Sequence, residues 1–157
     1  MPYRTLPTAF LIILFCFAAA QAQARVINVQ PGPGQSAEQL YYACLNVQNG
    51  DEIVLAEGVY VWDSSIDYQG PIIINNKHNI RIRGEGEVLV MCTDPYATPI
   101  TIMLSTGIQV ENIMAGHLIK RGYCSGNVLD VTDSSDVLVT DCVFHGSGMM
   151  AINAFDC

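Results

Sequence analysis

The sequence predicts an all-β fold in which short parallel strands wind into a solenoid. An alternating phrase recurs at Asn79-Ile80-Arg81-Ile82-Arg83, Gly107-Ile108-Gln109-Val110-Glu111 and Asp136-Val137-Leu138-Val139-Thr140, with Ile80, Ile108 and Val137 spaced by 28 and 29 residues. A second alternating pair precedes each phrase: Ile72/Ile74, Ile100/Ile102 and Leu129/Val131. The step from Ile74 to Ile80, Ile102 to Ile108 and Val131 to Val137 is six residues every time. One such repeat cannot bury its apolar face alone, whereas stacked repeats share a continuous core.

The first elements prepare that stack. Arg4, the apolar run Phe10 to Ala20 and the small-x-small site Ala22-Gln23-Ala24 read as a secretory signal over residues 1–24. An uncleaved anchor is the alternative, but a spanning helix needs about 20 apolar residues. Residues 25–50 read as a short strand, Val26 to Val29, and a helix, Ser36 to Val47, separated by Pro31-Gly32-Pro33-Gly34. Ser36 with Gln39 spells a capping box, and Leu40, Cys44 and Val47 share one face. An open solenoid exposes apolar side chains and strand edges, so this helix is expected to plug its first coil.

Residues 51–157 read as about three to four coils, starting with Asp51 to Leu55 and Val59 to Val61. Parity turns Ile80, Ile108 and Val137 inward, with Ile82, Val110 and Val139 beside them. Arg83 is placed over Glu111 in the next coil, a pair that supports the register. Residues 75–79, 104–107 and 132–136 are tight polar turns. Cys92 to Pro99 and His117 to Asn127 read as insertions on one side. The last coil breaks off at Phe155-Asp156-Cys157, which implies an incomplete chain or one that docks its open end on another.

Export sets the chemistry available. Cys16 leaves with the signal, so Cys44, Cys92, Cys124, Cys142 and Cys157 meet an oxidising compartment. Cys92 and Cys124 fall in neighbouring insertions and are the expected disulfide, although connectivity is not set by sequence. The formal net charge is −8, and argues against nucleic acid or anionic membranes as partners.

The run of strand, Pro/Gly cluster, helix, Asn49-Gly50-Asp51-Glu52-Ile53-Val54-Leu55 and Glu57-Gly58-Val59-Tyr60 resembles the opening of right-handed parallel β-helices of the pectate-lyase-like superfamily. The resemblance covers Val26 to Asp156. It implies an extracellular protein that binds or processes an acidic polysaccharide; a noncatalytic structural or adhesive surface module is the other class.

Polyuronate lyases of this fold use clustered acids to hold Ca2+ and an Arg or Lys as base. The nearest acidic set is Asp130, Asp133, Asp136 and Asp141, with Asp130 and Asp133 the candidate ligands; solvated strand and turn carboxylates are the plainer reading. Tyr96, Lys120, Arg121, Tyr123 and His145 are the candidate sugar contacts, although Lys120-Arg121 also reads as an ordinary solvated loop. His117 and His145 occupy nearly equivalent positions in successive coils. Phe144-His145-Gly146 resembles the Gly-His-Gly of polygalacturonases, but the motifs that accompany it there are missing. No convergent acid–base pair emerges from the chain.

Overall fold

The computed structural model describes residues 24–63, 69–118, 126–146 and 150–157. Apart from Ala24, the signal segment therefore lies outside the described residues. Among the described residues thirteen strands form three parallel sheets, and each full coil from β2 onward contributes one strand to each sheet. Sheet 1 contains β1 (Val26–Val29), β2 (Glu52–Leu55), β5 (Arg81–Gly84), β8 (Thr106–Glu111) and β11 (Ser135–Thr140). Sheet 2 contains β3 (Gly58–Trp62), β6 (Val88–Cys92), β9 (Met114–His117) and β12 (Val143–His145). Sheet 3 contains β4 (Ile72–Asn75), β7 (Ile100–Met103), β10 (Leu129–Thr132) and β13 (Ile152–Phe155). The result is a parallel β-solenoid of about four coils.

Register follows the parity of the sequence. Ile53, Ile82, Val110 and Val139 are successive Cα partners in sheet 1. Ile74, Ile102, Val131 and Ala154 form a matching column in sheet 3. Ile53, Ile82, Val110, Ile74 and Ile102 are fully buried. Each such side chain contributes on the order of 1.5–3 kcal/mol of burial free energy, which makes these columns the main source of cohesion. In the last coil Val137, Val139, Ile152 and Ala154 line an open cavity of about 460 Å³.

The corners work by local backbone chemistry. Asn76, Leu104, Asp133 and Asp156 sit at equivalent corner positions with φ of 54°, 50°, 47° and 50°. Asn and Asp tolerate this left-handed region because their short side chains bond locally. Leu104 does not, and it is also exposed. One residue further on, buried Ser105 and Ser134 lock the corner: Ser105 Oγ accepts from Lys77 N at 3.1 Å, and Ser134 Oγ accepts from Ser105 N at 3.1 Å.

The N-terminal plug forms a coil of its own. Strand β1 joins sheet 1, Ser36 bridges to Val61 at the edge of sheet 2, and helix α1 (Glu38–Asn46) packs against β4 at the edge of sheet 3. Leu40, Cys44 and Val47 face the core as their spacing requires. The capping box does not form. The N-cap is Ala37, and Ser36 Oγ instead accepts from Glu38 N at 3.2 Å, because Ser36 is held in the bridge to Val61. The helix is correspondingly shorter than the periodicity implied. No helix among the described residues is long and apolar enough to cross a membrane.

The third sheet also moves two expected loop boundaries. Cys92 ends β6 and His117 ends β9, both buried, so the insertions begin after them. Arg83 and Glu111 are Cα partners, as the period requires. Their side chains, however, do not pair. Arg81 takes Glu111 at 2.6 Å, and Arg83 turns to Glu52 at 2.7 Å and Glu85 at 2.8 Å. Each guanidinium thereby meets a carboxylate on the same exposed face, and Arg81 holds the Glu111 carboxyl below its ordinary range.

Candidate functional site

The longest connections gather at one corner of the solenoid. The connections from sheet 2 to sheet 3 run to 9, 7, 11 and 6 residues, whereas those at the other two corners, from β2 onward, have five or fewer. Loops inserted at one face of a repeat protein are where ligands are most often met.

Within the described residues this corner is a braced stack. Trp62 Nε1 donates to Gln69 O at 2.7 Å, and Thr93 N donates to Trp62 O at 3.0 Å. In the connection after β6, Tyr96 N donates to Asp94 Oδ1 at 2.8 Å, forming an Asx-type turn that lifts the phenol outward. Tyr96 is 69% exposed. The following residue, Ala97, is fully buried, and its carbonyl accepts from His117 Nε2 at 2.7 Å. Gly126 N donates to Pro95 O at 2.9 Å, so the next coil's connection lies against the Tyr96 loop. A Cβ at Gly126 would stand 2.5 Å from Ala97 O, which is why this contact requires glycine.

The two histidines do not converge. His117 points inward from β9 and is almost wholly buried, with Nδ1 lacking a hydrogen-bond partner. His145 pairs in register with Gly116, one residue earlier, so it faces the opposite way. It packs over that glycine, where a Cβ would come within 3.0 Å of the His145 Nδ1. The near-equivalence of the pair was one residue out, and that residue inverts the face.

The aspartates are dispersed. Asp130 projects from the outer face of sheet 3, where Oδ1 accepts from Asn153 Nδ2 at 3.1 Å and Thr132 Oγ1 at 3.3 Å. Asp133 and Asp141 have φ of 47° and 53° and sit at corners, whereas Asp136, with φ of 53°, lies inside β11 and not in the expected turn. Among the described residues no three His, Cys, Asp or Glu side chains gather as a metal site.

Lys120, Arg121, Tyr123 and Cys124 lie outside the described residues, although Leu118 and Gly126 place both ends of their connection at this corner. Cys92, the proposed partner of Cys124, is buried at the end of β6. Tyr60 is structural: its hydroxyl donates toward Val29 O and Ala56 O, both at 2.9 Å, and burial pushes its pKa up to about 12. Sequence reasoning missed His117 as the brace of the Tyr96 loop. The signal was present in parity, because a histidine two residues after the inward Ala115 also faces inward.

No family model, curated protein or solved structure matches the chain.

Proposed function

We propose that this is an exported β-solenoid, related to the pectate-lyase-like β-helices, that binds an extracellular polysaccharide along the corner between sheets 2 and 3. One observation carries the reading: every long connection emerges at that corner, and the first of them with a fully described course presents an exposed tyrosine on a braced turn. A planar aromatic on a rigid support suits the apolar face of a sugar ring. On the neighbouring outer face of sheet 3, Asp130 and Asn153 supply hydroxyl-bonding groups. Arg81 and Arg83 are neutralised by carboxylates on sheet 1, so recognition of an acidic sugar falls to Lys120 and Arg121 in the third connection.

Affinity electrophoresis through gels containing polygalacturonate or neutral glucans tests this. Retardation on at least one polymer, weakened about 3- to 10-fold by Tyr96→Ala, is the expected result. Unretarded migration on all of them, or full retention by the variant, would overturn the reading. Unsaturated product released from a polyuronate would add elimination chemistry to binding.

The second reading, a noncatalytic structural or adhesive module, is favoured by the outer face of sheet 2. There Val59, Leu89, Met114 and Val143 stack in register, an apolar column on the side away from the core. Adhesion that survives Tyr96→Ala but fails with Met114→Lys would select it.

A further inference from the structure

Asp51 is the one buried carboxylate among the described residues, with its side chain 2% exposed. It is held from three directions. The Arg25 guanidinium spans both oxygens, with Nε at 3.2 Å from Oδ1 and 3.1 Å from Oδ2 and with Nη2 against Oδ2. Gln48 N donates to Oδ2 at 2.8 Å. The third donor is the Arg25 backbone nitrogen, 3.0 Å from Oδ1. Arg25 also leads directly into β1, and its carbonyl accepts from Glu52 N at 2.8 Å. Ala24 and Arg25 are both exposed, so the bond joining them is accessible while its nitrogen already points at the carboxylate.

That bond is the one at which the small-x-small site Ala22-Gln23-Ala24 ends. We propose that hydrolysis of the Ala24–Arg25 bond creates an α-ammonium that docks on Asp51, making the first coil of the solenoid a sensor of its own processing. The reaction consumes one water. The C–N bond breaks, the hydroxyl goes to the Ala24 carbonyl carbon to leave a carboxylate, and the released Arg25 amine takes a proton. A neutral amide donor thereby becomes a charged one at an unchanged position, and charge-assisted hydrogen bonds are the stronger kind. Asp51 is held at a pKa of about 2, chiefly by the Arg25 side chain, so it is ionised and ready to receive a second cation. The groups facing the ammonium are the Asp51 carboxylate and its own guanidinium, and repulsion from the latter limits the gain.

The pH sense follows from linkage. Pairing raises the α-amino pKa above its ordinary value of about 7.7–8.0, so its contribution is complete below that range and is lost as pH rises through the raised value.

The full chain expressed in a secretory host should give Arg-Val-Ile-Asn on N-terminal sequencing; a mature start elsewhere would overturn the proposal. Processed protein is then compared with the same chain retaining Ala24, which moves the ammonium one residue away without touching the core. At pH 6 the processed form is expected to melt about 2–5 °C higher, and the gap to close above about pH 9. Equal melting at pH 6, or a gap that ignores pH, would refute docking. Asp51→Asn in both forms should abolish the gap; if that variant fails to fold, the pH series on the Ala24 pair decides alone.

Discussion

His117 Nε2 lies 2.7 Å from the carbonyl oxygen of Ala97, joining the last residue of β9 to the loop that displays Tyr96 in the coil before. The bond is buried, so neither partner can exchange it for water. It couples the interior of the solenoid to its most exposed aromatic residue.

Replacing His117 should therefore affect both. His117→Phe fills a similar volume but leaves the Ala97 carbonyl unpaired, at a cost of about 1–3 kcal/mol in urea unfolding. Limited proteolysis should cut the Thr93–Pro99 loop faster in this variant than in the parent. Unchanged stability and cleavage would show that the bond is incidental.

Parity gives a sharper contrast. Val110 is fully buried between Ile82 and Val139, whereas its neighbour Gln109 is exposed beside Arg81 and Leu138. Val110→Asp should abolish cooperative folding, because a carboxylate would be trapped between apolar layers. Gln109→Asp should melt within a degree or two of the parent. Circular dichroism melts of the two variants read this directly.

At Leu104 the chain carries a local conflict. A leucine at φ 50° is strained where Asn76 and Asp133 hold the same corner with suitable residues. Leu104→Asn is expected to stabilise the protein by about 1 kcal/mol and to raise Tm by a few degrees. Leu104→Ala, which keeps a Cβ without a bonding side chain, should gain less. Equal gains would point to removal of an exposed apolar group as the cause.

Acid should loosen the first coil early. Asp51 titrates at about 2, below its ordinary 3.8, so its folded pKa is depressed and its contribution is complete above about pH 4. It is lost as pH falls from there toward 2. Asp51→Asn should flatten the dependence of Tm on pH in that window while lowering stability at neutral pH. A variant that still follows the parent's acid profile would place the sensitivity elsewhere.

Sheet 1 was legible because it has one wet face, so Ile82 and Val110 alternate with Arg81, Arg83 and Gln109. Sheet 3 was legible from its inward pairs Ile72/Ile74, Ile100/Ile102 and Leu129/Val131, although Ile73 and Thr101 on its other face are buried as well. Sheet 2 was legible only in its first strand. Val88-Leu89-Val90-Met91-Cys92 is apolar on both faces and does not alternate, and β9 reads Met-Ala-Gly-His with its glycine beneath His145. Without that sheet, Cys92 and His117 read as loop residues. The ion pairs on sheet 1 escaped for another reason: register specifies which Cα atoms are neighbours, while long guanidinium side chains choose among several carboxylates. The helix cap was misread because Ser36 is engaged at a sheet edge, a tertiary demand that no local motif reports.

A corner of fixed length beside one of free length has an evolutionary corollary. The corner from sheet 3 to sheet 1 is metrical: Ile74 to Ile82, Ile102 to Val110 and Val131 to Val139 each span eight residues, and a single added or lost residue would turn the next strand inside out. The corner from sheet 2 to sheet 3 stands outside the metre. Segments entering between a sheet 2 strand and a sheet 3 strand leave the sheet 3 columns where they were, so this connection can change in length and sequence while the scaffold drifts under separate rules.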